Sequence, residues 1–285
     1  MAKAVAEKIT VIVPAYNEAE QFAKGRQNGY FEALRQWSQQ DGKNRNVVFV
    51  NDGSKDKTEE IVRQEGFEVI PSDTSGENKG KGHAAIAGFK HARNELGSSI
   101  AVLLDADITN LSSNLIEKLV EPLEKPDSKV KMSVGSYAEF ESSGRLKTYL
   151  QSDINSSGQR AIRLSAISSL FAQNPIRQQL KETKFKALME GFGLEHSLNA
   201  LIPEKEAASV LFHCERPYRK LPSDKQSEQI RASRKKLQER KDLINWLNGR
   251  RKAARAFEKP DRRKEELGKV RRALKLKQAV NPHLK

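Results

Sequence analysis

AVLLDAD, at residues 101–107, is the stretch whose reading decides the fold. Its four leading apolar residues, with Gly97-Ser98-Ser99 before and Thr109-Asn110 after, predict a strand buried on both faces. The strand ends in carboxylates. Side chains alternate along a strand, so Asp105 and Asp107 point to one side if the extended geometry runs through them. Like charges at one strand tip repel unless a cation lies between them, and carboxylate oxygens suit hard ions such as Mg²⁺ or Mn²⁺. A solvated strand end with helix-capping aspartates is the plainer alternative.

Other strand ends point the same way. ITVIV at residues 9–13 stops at Pro14 and delivers Tyr16-Asn17-Glu18, and VVFV at 47–50 runs into Asn51-Asp52-Gly53-Ser54. A third short strand is expected at 67–70, and helices over about 20–39, 56–65 and 83–95, the last led in by the loop GENKGKG at 76–82. Strands alternating with helices define an α/β architecture, a mostly parallel Rossmann-like sheet with helices on both faces. Such sheets bind ligands outside the carboxyl ends of their strands. Glu18, Asp52, Asp105 and Asp107 would each pass alone as a cap or turn residue, but one binding edge explains them together.

The segments VIVPAYNEAE, VVFVNDGSKDKT, NKGKGHAAIAGFKHA and VLLDADI, in this order, resemble the nucleotide-sugar-binding half of family 2 type glycosyltransferases with the GT-A fold, over about residues 8–110. The resemblance implies an enzyme that moves a hexosyl group from a nucleoside diphosphate-sugar, with uridine the expected base. It implies that Pro14, Ala15 and Glu18 line the nucleoside pocket, Asp52 contacts the base or ribose, and Lys81 with Gly82 lies near the nucleotide. Asp105 and Asp107 match the family's D-x-D, which holds Mg²⁺ or Mn²⁺ on the donor diphosphate. The chemistry agrees, because a leaving diphosphate must be neutralised as its bond breaks, and a divalent cation does so as a Lewis acid. Lys81 adds a charge to the same phosphates or is a solvated loop lysine; the residues leave both open.

The second half says less. KVKMSVGSY at 129–137 is expected as a strand, and SSGQRAIR at 156–163 as the start of a helix with Arg160 and Arg163 one turn apart. Such a helix start suits a phosphate or carboxylate, or its arginines are exposed charges. The segment resembles an acceptor-side S-G-x-R-A motif of bacterial family members, which makes Gly158, Arg160 and Arg163 candidate acceptor-binding residues. GFGLEHSLNAL at 191–201 has helical apolar spacing, with Glu195 near its start, roughly where the family places an acidic residue facing the acceptor. If transfer inverts the anomeric centre, Glu195 is the candidate base. A glutamate in a first helical turn is also favoured by the helix dipole. AASVLF at 207–212 is expected as the last strand and delivers His213. By resemblance His213 joins Asp107 on the ion, unless it is merely packed.

Charge divides the chain. Residues 216–285 hold 24 Lys and Arg against 8 Asp and Glu, whereas residues 1–215 hold 27 against 29. We expect a glycosyltransferase domain over 1–215, its halves meeting near 110, and a basic helical extension over 216–285. Helices are expected there over about 223–257 and 261–277; Ile230, Leu237, Leu243, Ile244 and Leu247 form a partial apolar stripe beside Trp246. That is a membrane-surface pattern, though a helix packed on the domain or a partner-binding tail fits too. Nucleic acid is disfavoured, since the tail is poor in aromatics and has no recognised motif. The single cysteine, Cys214, excludes an intrachain disulfide, and no apolar run approaches the roughly 20 residues that span a bilayer. A cytoplasmic protein is expected, soluble or peripheral to the membrane.

Two rivals compete. A nucleotidyltransferase would carry a glycine-rich basic signature after its first strand, where this chain has PAYNEAE. A non-catalytic binding module would use the basic tail alone. The acceptor and the oligomeric state stay open, a homodimer among the options.

Overall fold

The computed structural model describes residues 7–40, 44–108, 111–140, 146–147, 157–170 and 193–213. All lie in the first of the chain's two units, Met1–Arg234. Strands β1 (Ile9–Ala15), β2 (Arg45–Asn51), β3 (Glu68–Pro71) and β4 (Ile100–Leu103) run parallel in the order β3-β2-β1-β4. Helices α1 (Ala19–Gln27), α2 (Tyr30–Ser38), α3 (Thr58–Gln64) and α4 (Lys81–Asn94) connect them, and α5 (Ser113–Glu124) follows β4. The sheet continues with β5 (Met132–Phe140), β6 (Leu146–Lys147), β7 (Arg160–Arg163) and β8 (Ala207–His213), with α6 (Gly193–Leu201) before β8. β7 lies antiparallel between β4 and β5, and β8 pairs parallel with β5.

The central strands are apolar on both faces because each face is covered. Val11 and Val13 point into a core with the rings of Phe22, Tyr30, Phe31, Trp37 and Phe49, while Ile12 points into the core under α4 and α6. Here α4 lies so close to the sheet that a Cβ on Gly88 would come within 2.4 Å of Ile12 Cγ2.

Four expectations change. The helix expected over 20–39 is two helices, broken at Gly29, which adopts a left-handed φ of 76° that other residues resist. Helix α4 begins at Lys81, two residues early, so this lysine is a helix residue and not a loop one. β4 stops at Leu103, so Asp105 and Asp107 sit in the turn beyond it and not in an extended strand.

The largest correction falls on 156–163, where strand β7 stands in place of a helix. Its Ala161 and Ile162, both fully buried, pack on opposite faces of the sheet and fill a gap that β4 and β5 leave between them. Backbone partners distant in sequence outweigh a local helix-start signal here. Arg160 and Arg163 are three apart, so they leave the strand on opposite faces and are not neighbours. The amphipathic α5, unanticipated, buries Leu115, Ile116, Leu119, Val120 and Leu123. Cys214 and the expected extension over 216–285 lie outside the described residues. Among the described residues no helix is long and apolar enough to cross a membrane.

Replacing a helix-interior glycine by alanine ordinarily stabilises by about 1 kcal/mol. Because α4 has no room at this position, Gly88→Ala should instead destabilise by about 1–3 kcal/mol in urea denaturation. A stabilised variant would contradict this packing.

Candidate active site

The carboxyl ends of β1, β2 and β4 and the amino end of α4 enclose a cleft of about 360 Å³. Pro14, Ala15, Glu18, Asp52, Lys81, Asp105 and Asp107 all line it. Of the expected donor-side residues only Gly82 does not; it is buried as the second residue of α4.

Its wall is stitched together by the loops themselves. Asn17, at a left-handed φ of 54°, accepts from Lys55 N and donates its own N–H to Ser54 Oγ. Glu18 N donates to Thr58 Oγ1, and Ala19 N to Asp56 Oδ2. Asp52, 2% exposed, accepts from Ser72 Oγ and from the backbone N–H groups of Lys79 and Gly80, so it also shapes the loop that feeds α4. Gly53 completes the joint: its φ is 77°, and a Cβ there would lie 2.7 Å from Gly76 O.

Asp105 is the hub. Its Oδ1 lies 2.6 Å from Lys81 Nζ and its Oδ2 accepts from Gln159 Nε2 at 2.7 Å. Lys81 Nζ also donates to Glu195 Oε1 at 3.1 Å. Glu195 is 1% exposed, does not line the cleft, and among the described residues leaves Oε2 without a hydrogen-bond partner. Burial lowers the pKa of Lys81, but Asp105 and Glu195 outweigh it and hold the ammonium above its ordinary range. Burial pushes Asp107 up, and Asp105 adds to that. Glu18 rises to about 7 through burial first, then through Asp107, Asp56 and Asp105. Such a crowd of carboxylates favours a cation among them.

Gly158 belongs here too, since a Cβ on it would lie 2.5 Å from both Asp105 carboxylate oxygens and from Lys81 Nζ. Arg160 is fully buried and donates to Ser157 O and Asn199 Oδ1; burial lowers its pKa to about 10 against the pull of Glu195 and Asp105. Arg163 is elsewhere. It pairs with Glu7 and donates to Leu123 O on the opposite face of the sheet. His213 ends β8, and its side chain lies outside the described residues. Asn78, a further lining residue, sits inside the loop singled out by its glycines, and Gln159 was hidden by the helix expected over its segment.

The chain belongs to glycosyl transferase family 2, whose model matches residues 10–179. It is 34% identical over 145 residues to a dolichyl-phosphate beta-glucosyltransferase of Trichomonas vaginalis, covering 48% of this chain and 42% of the relative. It is 30% identical over 131 residues to a 4,4'-diaponeurosporenoate glycosyltransferase of Staphylococcus aureus, covering 45% of this chain and 32% of the relative. The chain thus matches less than half the length of these curated relatives. Glucosyl-3-phosphoglycerate synthase of Mycobacterium tuberculosis shares the fold, with a TM-score of 0.58 at 19% identity over 82% of this chain and 80% of that one. The same enzyme has been solved with Mn²⁺, UDP-glucose and glycerol 3-phosphate (TM-score 0.56, 19% identity, 82% of this chain and 80% of that one). The architecture is GT-A.

The Glu18 carboxyl titrates near 4.5 in the unfolded chain and near 7 in the fold, so the folded protein binds its proton more tightly between those values. Its stabilising contribution is therefore complete at pH values below the unfolded pKa and lost as pH rises through the folded one. With chelator present, the melting temperature should fall over that window, and Glu18→Gln should flatten the fall. An unchanged slope in the variant would remove Glu18 from this acidic group.

Proposed function

We propose that this chain transfers a sugar from a nucleoside diphosphate donor, with uridine as its base, to an acceptor hydroxyl, with Mg²⁺ or Mn²⁺ on the diphosphate. The observation that carries the proposal is the meeting of Glu18, Asp52, Lys81, Asp105 and Asp107, from four separate strand-to-helix junctions, in one cleft. Family membership favours glycosyl over nucleotidyl transfer. The solved complexes of the mycobacterial enzyme with UDP and Mn²⁺ or Mg²⁺ support the choice of base and ion.

The donor set fits such an ion. Among the described residues no three His, Cys, Asp or Glu side chains converge as a metal site. Mg²⁺, however, is typically held by one or two carboxylates together with substrate phosphates and water. Asp105 is already bonded through both oxygens, which leaves Asp107 as the principal ligand, with His213 proposed beside it. When bound, the ion neutralises charge developing on the leaving diphosphate.

The chain's own residues supply the rest. Lys81 brings an ammonium to the same phosphates, at the amino end of α4 where backbone N–H groups and the helix dipole favour an anion. If transfer inverts the anomeric centre, the hydroxyl proton passes to a carboxylate as the acceptor oxygen bonds to the anomeric carbon and the diphosphate leaves. For that case Glu195, buried beside Lys81 with Oε2 unpartnered among the described residues, is the proposed base. For the acceptor we propose a lipid-linked hydroxyl or phosphate. The name of the Trichomonas relative supports it, as does the excess of cationic residues over 216–285, which suits an anionic membrane surface.

A thermal-shift screen of nucleoside diphosphates with Mn²⁺, Mg²⁺ or chelator tests the donor side. Ligand at 100 times its Kd stabilises by about 2.7 kcal/mol, so UDP with Mn²⁺ should raise the melting temperature by several degrees. Chelator or Asp107→Ala should remove most of that rise. No shift with any nucleotide would overturn the proposal.

A further inference from the structure

The turn that leads into β7 grips the hub of the cleft. Gln159, 4% exposed, donates through Nε2 to Asp105 Oδ2 at 2.7 Å, while its Oε1 accepts from Ser157 Oγ at 3.1 Å. Ser157 Oγ also lies 2.5 Å from Gly135 O on the neighbouring strand, so its single proton is shared between that carbonyl and the Gln159 amide oxygen. Between these two residues Gly158 presses its backbone against the ion pair of Asp105 with Lys81, leaving no room for a side chain.

Asp105 therefore has one oxygen on a cation and the other on an amide N–H, and its carboxylate is fixed in both tilt and direction. Asp107 has no ion-pair partner among the described residues. Released from the amide, the carboxylate would keep Oδ1 on Lys81 but could swing Oδ2, and a divalent cation bound by nearby Asp107 would attract it. If it turned, two carboxylates would take coordination positions that a donor diphosphate needs.

We propose that Gln159 is a positioning residue of the donor site: together with Lys81 it holds Asp105 off the cation, so that the ion is carried by Asp107 and stays open to the diphosphate. The proposal rests on the nucleotide-sugar reading of the cleft. It predicts opposite effects on two ligands. In Gln159→Leu, calorimetric titration with Mn²⁺ alone should show tighter binding than in the parent chain. Titration with UDP at saturating Mn²⁺ should show binding weakened about 10-fold, the usual scale for losing a residue that orients a metal-site group.

In the Asp105→Ala background the same substitution should change neither affinity, because the group it orients is gone. Gln159→Asn, which keeps the amide but falls a methylene short of Asp105, should repeat the pattern of the leucine variant and serves if that variant does not fold. Affinities for Mn²⁺ and UDP that move in the same direction, or do not move, would overturn the inference, as would an effect that survives removal of Asp105. If the parent chain itself binds no UDP, the donor reading falls with it; if the parent binds UDP and the variants match it, only the role of Gln159 falls.

Discussion

The ion pair between Lys81 and Asp105 is the contact on which the cleft depends. It ties the first residue of α4 to the turn after β4, and Glu195 of α6 and Gln159 of the β7 turn attach to the same two charges. Burying a carboxylate as deeply as Glu195 is costly unless a cation compensates it. Lys81 does so directly and Arg160 from nearby, and Lys81 keeps enough exposure, 35% of its side chain, to serve the open cleft as well. One lysine thus settles the charge of an interior carboxylate and of a surface one.

That arrangement explains why the antiparallel strand matters. β7 enters the sheet beside β4, so the residues just before it arrive at the tip of the strand that carries Asp105. Its alternation then sends Arg160 toward Asn199 and α6, and Arg163 to the far side, where it joins Glu7 to the end of α5. The first arginine belongs to the interior of the site and the second to the frame of the fold.

The first half was legible in the sequence because its signals are local. Buried parallel strands show as unbroken apolar runs, and the polar residues that end them must reach the carboxyl edge whatever the tertiary details. Glu18, Asp52, Asp105 and Asp107 could be read in this way without knowing how the helices pack. The second half was not, because β7 exists only by pairing with two strands distant in sequence, and nothing within SSGQRAIR announces them. A helix over that segment would put Arg163 on the wrong side and leave Gln159 without an evident task. The break at Gly29 and the depth of Glu195 likewise depend on what lies against them.

The stitching of Asn17, Glu18 and Ala19 to the loop of Ser54, Lys55, Asp56 and Thr58 has an effect beyond holding two loops in place. Segments that would otherwise sample many arrangements are already immobilised before any guest arrives. Association then forfeits little chain entropy on this wall, so more of the contact energy with the incoming molecule remains as affinity. Recognition on this side would resemble insertion into a finished mould.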